Sequence, residues 1–116
     1  MSELYNVVKE VFAYDPSTQG IDGYVTMEFI GFHLSLEEAE RLLGTSSRES
    51  IENYSANYID VEPEVTKVLT ERKEKLEKEY ANDNGILLQH HEFYIQGNML
   101  HHWYISKSNK TSADIN

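Results

Sequence analysis

Runs of apolar, β-branched and aromatic residues bounded by polar turn segments predict four strands, two near each end of the chain. The first strand runs from Leu4 to Tyr14 without Gly or Pro, and the second runs from Tyr24 to Leu34 after a segment rich in turn residues. The third and fourth cover residues 87–95 and 99–105, on either side of Gln96-Gly97-Asn98. We therefore expect an N-terminal and a C-terminal antiparallel β-hairpin.

The second strand has apolar residues at both odd and even positions. A strand of this kind is typical of the centre of a sheet or of a covered edge, because both of its faces need burial. Gly31 interrupts the apolar run and predicts a β-bulge or a close approach by another part of the chain. The apolar positions are Val25, Met27, Phe29, Ile30, Phe32 and Leu34.

Helical periodicity begins directly after this strand. Ser35 and Glu38 have the spacing of a capping box, in which the serine hydroxyl accepts from the amide of the third helical residue. Gly44 predicts the end of this first helix. One face of the helix is apolar and consists of Leu36, Ala39, Leu42 and Leu43.

Two further helices are predicted before the second hairpin. Ser46 and Glu49 form a weaker capping box for a short helix, and Pro63 is suited to the first turn of a longer one that ends near Ala81. The longer helix has a thin apolar stripe that suits packing on its own sheet, with a partner helix in a homodimer as the alternative.

These elements predict an α+β domain in the order ββαααββ. The antiparallel sheet is built from the N- and C-terminal hairpins, with the three helices packed on one face. We expect residues 1–107 to form a single domain, which is a common domain size. Residues 108–116 are polar, and we expect them to form a disordered C-terminal tail.

The composition narrows the classes of function. The 116 residues include 20 acidic and 10 basic side chains, for a net charge of −10, and no cysteine. No signal-peptide pattern and no apolar run of ~20 residues is found, so we expect a cytoplasmic protein. A negative field repels nucleic acid and anionic membranes, which argues against direct binding to either, and it attracts basic proteins.

The leading hypothesis is a small acidic binding protein that occludes a basic site on a partner macromolecule. Toxin-neutralising immunity proteins and phage-encoded anti-defence inhibitors are of this physical type. The eight Tyr, four Phe and one Trp favour some interface, and a homo-oligomer is possible. The candidate interface carboxylates are Asp15, Asp22, Glu37, Glu38, Glu40, Glu49, Glu52, Asp60, Glu62 and Glu64.

Four of the five histidines lie in or beside the C-terminal hairpin, and its register decides which of them meet. A three-residue loop pairs Ile95 with Met99 and places Glu92 opposite His102. A two-residue loop, Gly97-Asn98, shifts the pairing by one residue, which moves His101 to the face of Glu92 and His102 to the other face.

The alternative hypothesis is a ligand or metal site on this hairpin. In the first register, His90, Glu92 and His102 offer two imidazoles and a carboxylate, a ligand set suited to a divalent metal. Aromatic rings beside them suit a planar, nucleotide-like ligand, and these are Tyr94, Tyr104 and Trp103. A third hypothesis is that the hairpin histidines become charged together below about pH 6.5 and alter self-association.

Signals for an enzyme are weak in this sequence. It contains no cysteine nucleophile, no Gly-x-Ser-x-Gly elbow and no glycine-rich phosphate loop. A function without catalysis and without a cofactor is therefore favoured, with the divalent metal on the hairpin as the minor alternative.

Overall fold

The computed structural model describes residues 3–21, 26–56, 60–81 and 91–111. The elements follow the order ββααββ and form an α+β fold, as predicted except for the number of helices. Their bounds are β1 Glu3–Ala13, β2 Thr26–Leu34, α1 Leu36–Ala56, α2 Pro63–Ala81, β3 Glu92–Gln96 and β4 Met99–Thr111.

The four strands form one antiparallel sheet in the order β2-β1-β4-β3. Both predicted hairpins are present, and the long strands β1 and β4 pair along the middle of the sheet from Val7↔Ile105 to Ala13↔Met99. The strands that come first and last in the chain are thus the central ones. The histidine sites described below lie on this central pair or next to it.

The prediction of three helices was wrong, because α1 continues through Gly44 to Ala56. The buried positions Ala39, Leu43 and Ser47 are followed by Ile51 and Tyr54 at the same helical spacing, so one apolar face runs past the glycine. A glycine inside a helix costs only about 1 kcal/mol relative to alanine, which the burial of this face offsets.

The predicted start of α1 is confirmed in detail. The Glu38 amide donates to Ser35 Oγ at 3.2 Å, and the Ser35 hydroxyl donates to Glu38 Oε1 at 2.9 Å. The serine thus binds both the backbone and the side chain of the same residue, as a capping box requires.

The two helices pack on opposite faces of the sheet, so the prediction of helices on one face was also wrong. The face covered by α1, here called the α1 face, holds Val7, Trp103 and Ile105. The other, the α2 face, holds Phe12 and Leu100 against Leu69 and Leu76 of α2. Successive side chains of a strand point to opposite faces, so each helix covers half of the side chains of β1 and β4. The periodicity of a helix does not show which of the two faces it covers.

Helix α2 packs on its own sheet, as the first of the two alternatives predicted. Arg72 lies in the gap of the apolar stripe, where it donates to the Ile21 carbonyl at 3.1 Å and lies over the Phe12 ring. The arginine therefore completes the contact between α2 and the sheet.

Strand β2 is an edge strand, which corrects the expectation of a central or covered one. Its pairing with β1 is irregular near Gly31, where a Cβ would come within 2.5 Å of Leu42 and 2.8 Å of Leu34. Both predictions for this glycine, a bulge and a close approach, are confirmed. Three apolar side chains of β2 stay exposed, namely Met27, Phe29 and Phe32.

The C-terminal strand is longer than the sequence pattern predicts. β4 continues to Thr111 and pairs there with Glu3, so residues 108–111 of the segment predicted as a tail belong to the sheet. Residues 112–116 lie outside the described residues. Neither of the two described helices is long and apolar enough to cross a membrane.

Candidate functional site

The C-terminal hairpin adopts the two-residue register. Gln96 pairs with Met99 across Gly97-Asn98, and Gly97 has a φ of 57°. Glycine takes this left-handed conformation without strain at the first central residue of a type II′ turn. Glu92 is therefore opposite Trp103, and His102 is opposite Phe93.

This register separates the residues of the predicted metal site. Glu92 is exposed on the α1 face, and His102 is fully buried on the α2 face. His90 lies outside the described residues. His101 shares the α1 face with Glu92 but is buried, and in the described part of the chain no three His, Asp or Glu side chains are placed to hold a metal ion.

The three rings predicted to stack on a planar ligand do not form one platform. Tyr94 and Trp103 lie on the α1 face, where Trp103 is fully buried, and Tyr104 is buried on the other face. Tyr94 alone is half-exposed, and it stacks on Tyr54 at 6.0 Å while its hydroxyl is 3.0 Å from Ser55 Oγ. One face of its ring is thus occupied within the protein.

A chain of three polar side chains crosses the α2 face instead. Glu10 Oε1 is 2.9 Å from His102 Nδ1, and His102 Nε2 is 3.2 Å from His91 Nδ1. Glu10 and His102 are 4% and 0% exposed, whereas His91 is half-buried. A buried carboxylate, a buried imidazole and a second imidazole nearer the surface are therefore joined in series.

Strand geometry places these three side chains. Glu10 and His102 are direct partners in the β1–β4 ladder, and His102 is opposite Phe93 in the next strand. Phe93 stacks flat on His102, with ring centroids 4.1 Å apart and planes 5° apart, and Tyr104 stacks on His102 at 5.0 Å. The His102 ring is fixed by hydrogen bonds at both nitrogens and by these aromatic contacts.

Burial controls the protonation of the two histidines in this series of side chains. It lowers the pKa of His102, although the neighbouring Glu10 carboxylate acts in the opposite direction through its hydrogen bond and charge. Burial and the neighbouring His102 also lower the pKa of His91. Both imidazoles therefore favour the neutral form at neutral pH.

The α1 face holds a different histidine environment. His101 is 4% exposed and stacks on Tyr54 at 4.3 Å, yet neither of its ring nitrogens has a hydrogen-bond partner in the structure. This absence of partners for His101 holds among the described residues. Beside His101, Lys9 donates to the Tyr54 hydroxyl at 2.8 Å and lies over the rings of Tyr54 and Trp103. Burial, with a smaller contribution from Lys9, lowers the pKa of His101 to about 4.

These shifts argue against the hypothesis that the hairpin histidines become charged together below about pH 6.5, for the three of them that the structure describes. For His91, His101 and His102 the pKa lies below the ordinary value, because each is wholly or partly buried. Charging them requires a more acidic solution and opposes burial.

Sequence reasoning did not identify Glu10, whose carboxylate binds His102 and so orients the hydrogen-bonded series of Glu10, His102 and His91. The available signal was its position within Val7-Val8-Lys9-Glu10-Val11-Phe12, an apolar strand segment in which an acid at a buried position needs a partner. The contact of His91 with His102 depends on the hairpin register, which the loop sequence leaves open.

Most of the predicted interface carboxylates are exposed on α1 or in the segment that leads to α2. Glu37 and Glu38 are partly used within α1, by Arg41 and Ser35, and Asp15 accepts two hydrogen bonds from Ser17 in its own turn. Asp22 lies outside the described residues, and Glu40 is half-buried. The remaining exposed carboxylates are Glu49, Glu52, Asp60, Glu62 and Glu64.

Comparison with known proteins gives no match for this chain. No family model, no curated protein and no solved structure is similar to it. The main chemical features of the protein are its exposed carboxylates and the hydrogen-bonded series of Glu10, His102 and His91.

Proposed function

We propose that the chain is a binding protein whose acidic surface occupies a basic site on another macromolecule. The surface consists of the outer side of α1 and the residues that lead into α2. The observation that carries the proposal is the uneven distribution of charge between the two sides of the sheet.

The two helical regions differ strongly in charge. Helix α1 contains five acidic and two basic side chains, whereas α2 contains five of each. Because α1 and α2 cover opposite faces of the sheet, the α1 side carries a net negative charge that α2 does not give to the other side. A one-sided charge of this kind orients an approaching basic partner as well as attracting it.

A cavity beside α1 offers such a partner an anchoring point. Its volume is about 290 Å³, and the carboxylates of Glu52 and Glu92 line it together with Arg48 and Ile51. It extends to Gly44, which leaves open space next to the helix. Two carboxylates at an exposed cavity suit the insertion of a Lys or Arg side chain.

The mechanism follows from these features. The partner is a basic protein, and the carboxylates pair with its Lys and Arg side chains and so occupy the site that would otherwise receive phosphate groups. Toxin neutralisation and inhibition of a host defence nuclease are functions that need only such occlusion. The attraction speeds association and weakens as salt screens the charges.

The test compares two variants with equal changes of charge on opposite sides of the sheet. One variant carries Glu37→Lys, Glu49→Lys and Glu52→Lys in α1, and the control carries Glu71→Lys, Glu74→Lys and Glu79→Lys in α2. All six glutamates are exposed. Thermal unfolding verifies that both variants fold as the unchanged protein does.

Proteins captured from a lysate of the source cells at low and moderate salt are identified by mass spectrometry, and the captured protein is purified for binding measurements. We expect the unchanged protein and the α2 variant to bind the same basic protein, with loss of binding in the α1 variant. We also expect slower association at higher salt. Equal binding by both variants, or association that salt does not slow, contradicts the proposal.

A further inference from the structure

The chain of Glu10, His102 and His91 has no part in binding through the acidic surface, since it lies on the other face of the sheet. If these side chains only linked β1 to β4, the hydrogen bond between Glu10 and His102 would be sufficient. The chain continues beyond this pair to His91, which precedes β3 and is closer to the surface.

The chemistry of a carboxylate determines the order of protons along the chain. The Glu10 carboxylate can only accept, so His102 donates through Nδ1–H and its Nε2 is left as an acceptor. His91 must then donate through its own Nδ1–H to His102 Nε2. In the neutral His91 ring, the second nitrogen, Nε2, consequently carries a lone pair and no proton.

A charge of each sign lies near His91, and a small cavity lies beside its neighbour Phe93. Lys73 and Glu77 of α2 both act on His91 electrostatically, and the edge of its ring meets that of Phe93 at 5.1 Å. Lys73 and Phe93 also line a cavity of about 160 Å³ with Tyr94 and Ile95. This volume corresponds to about five water molecules, which suits a ligand of a few heavy atoms.

We propose that His91 is a general base, oriented by His102 and Glu10, that removes a proton from a small ligand beside Phe93 and Lys73. The proton moves from an O–H or N–H group of the ligand to His91 Nε2, and the electron pair of the broken bond stays on the ligand. The imidazolium that forms keeps its Nδ1–H bond to His102, whose own Nδ1–H is held by the Glu10 carboxylate. Lys73 and Glu77 are 4.0 Å apart and offset each other's charge beside His91, so a ligand without net charge is favoured.

In this arrangement His91 is the catalytic residue, and His102 and Glu10 are positioning residues. The aromatic stack of Phe93 on His102 prevents rotation of the central ring, so the lone pair of His91 keeps one direction. Holding a base in a fixed direction is one of the ways in which a folded site accelerates proton transfer.

The first test reads the protons directly by nitrogen NMR of the imidazole rings at about pH 7.5, where an ordinary histidine is neutral. We expect both His91 and His102 to be protonated at Nδ1 and unprotonated at Nε2. A His91 ring that is protonated at Nε2 overturns the proposal. Glu10→Gln, which retains the shape but not the charge, is expected to give His91 a mixture of the two proton positions.

The second test measures the reactivity of His91 towards diethyl pyrocarbonate in the unchanged protein. Nε2 attacks a carbonyl carbon and forms an N–C bond, and the ethyl carbonate that leaves takes up a proton and breaks down to ethanol and carbon dioxide. Tandem mass spectrometry locates the carbethoxyl group and separates His91 from His90.

His33 provides the internal control, because it is exposed and its Nδ1 is 3.0 Å from Ser108 Oγ rather than next to a carboxylate. Exposure alone predicts that His33 reacts faster than His91. The proposal predicts the opposite order by several-fold, and loss of the advantage of His91 in Glu10→Gln. Faster reaction of His33 in the unchanged protein contradicts the proposal, and this comparison needs no variant that has to fold.

Discussion

His101 and His102 are neighbours in β4, and both are buried, but they lie on opposite faces of the sheet. Under α2, His102 is hydrogen bonded at both ring nitrogens, to Glu10 and to His91. Under α1, His101 stacks on Tyr54, and neither of its nitrogens has a partner. Two adjacent positions of β4 therefore hold one imidazole with hydrogen-bond partners and one without them.

The strand partner explains the difference. His102 is opposite Glu10 in β1, whereas His101 is opposite Val11, which offers no hydrogen bond. Burying a polar group without a partner costs about 1 to 3 kcal/mol in proteins, and a hydrogen bond to a charged group returns about that amount. His102 thus raises the free energy of unfolding and His101 lowers it, although the residue type is the same and both are buried.

The largest expected effect comes from making the same substitution at both positions. His102→Phe removes the hydrogen bonds to Glu10 and His91, and we expect it to lower the free energy of unfolding by about 3 kcal/mol. His101→Phe removes two nitrogens without partners, and we expect no loss or a gain of up to about 1 kcal/mol. Urea unfolding at neutral pH measures both, and equal losses would mean that the two faces do not differ.

Acid is expected to act mainly through the α1 face. The pKa of His101 is lowered to about 4, whereas the unfolded chain keeps the ordinary value of 6.5. The unfolded state therefore binds its proton first, so this stability is complete above about pH 6.5 and is lost as the pH falls towards 4. Lys9, packed on Tyr54 beside His101, adds to the cost of a second positive charge.

We expect the unchanged protein to lose about 2 to 3 kcal/mol more than His101→Phe between pH 7 and pH 4. The lowered pKa values of His91 and His102 add a loss of the same sign to both proteins. Urea unfolding across this pH range gives the difference, and parallel curves for the two proteins would show that His101 does not titrate below the ordinary range.

A smaller effect is expected from removing the charge of Glu10 while keeping its shape. Glu10→Gln retains an oxygen that accepts from His102, and we expect a loss of about 1 to 2 kcal/mol. The control is Glu28→Gln in β2, where the side chain is exposed and we expect a change within about 0.5 kcal/mol. Urea unfolding compares the two, and a loss of equal size at Glu28 would remove the special role of Glu10.

The smallest effect concerns the helix that covers His101. A Cβ at Gly44 meets nothing within 4 Å, so Gly44→Ala is expected to stabilise the protein by about 0.5 to 1 kcal/mol through helix propensity. Gly31→Ala should destabilise it, because its Cβ would come within 2.5 Å of Leu42. Thermal unfolding measures both changes, and a loss at Gly44 would indicate that the helix is interrupted there.

Local patterns predicted the features that depend on neighbouring residues. The capping box of Ser35, the first turn at Pro63 and the irregularity at Gly31 were all confirmed, because each follows from a side chain and its nearby backbone. Gly44 shows the limit of such rules. Its tendency to end a helix was overcome by packing further along α1, at Ile51 and Tyr54.

The site depended on contacts that the local sequence does not contain. The choice between two hairpin registers rests on the backbone of Gly97, and this choice decides whether His101 or His102 joins Glu92. The partner of His102 comes from β1, and it meets β4 only through the strand order of the whole sheet. The opposite placement of α1 and α2 is likewise a property of the assembled layers.

The pairing of β1 with β4 has a kinetic consequence. Partners such as Val7 and Ile105, or Glu10 and His102, are separated by roughly 90 to 100 residues of chain. Contacts this distant in sequence form slowly, because the ends of a long loop must meet before any stabilising contact exists. Each hairpin can begin to form from its own residues, but the sheet closes only when its central strands meet. We therefore expect the hydrogen bonds that join Glu10, His102 and His91 to form late in folding, and in a polypeptide emerging from the ribosome only after residue 102 is free to pair.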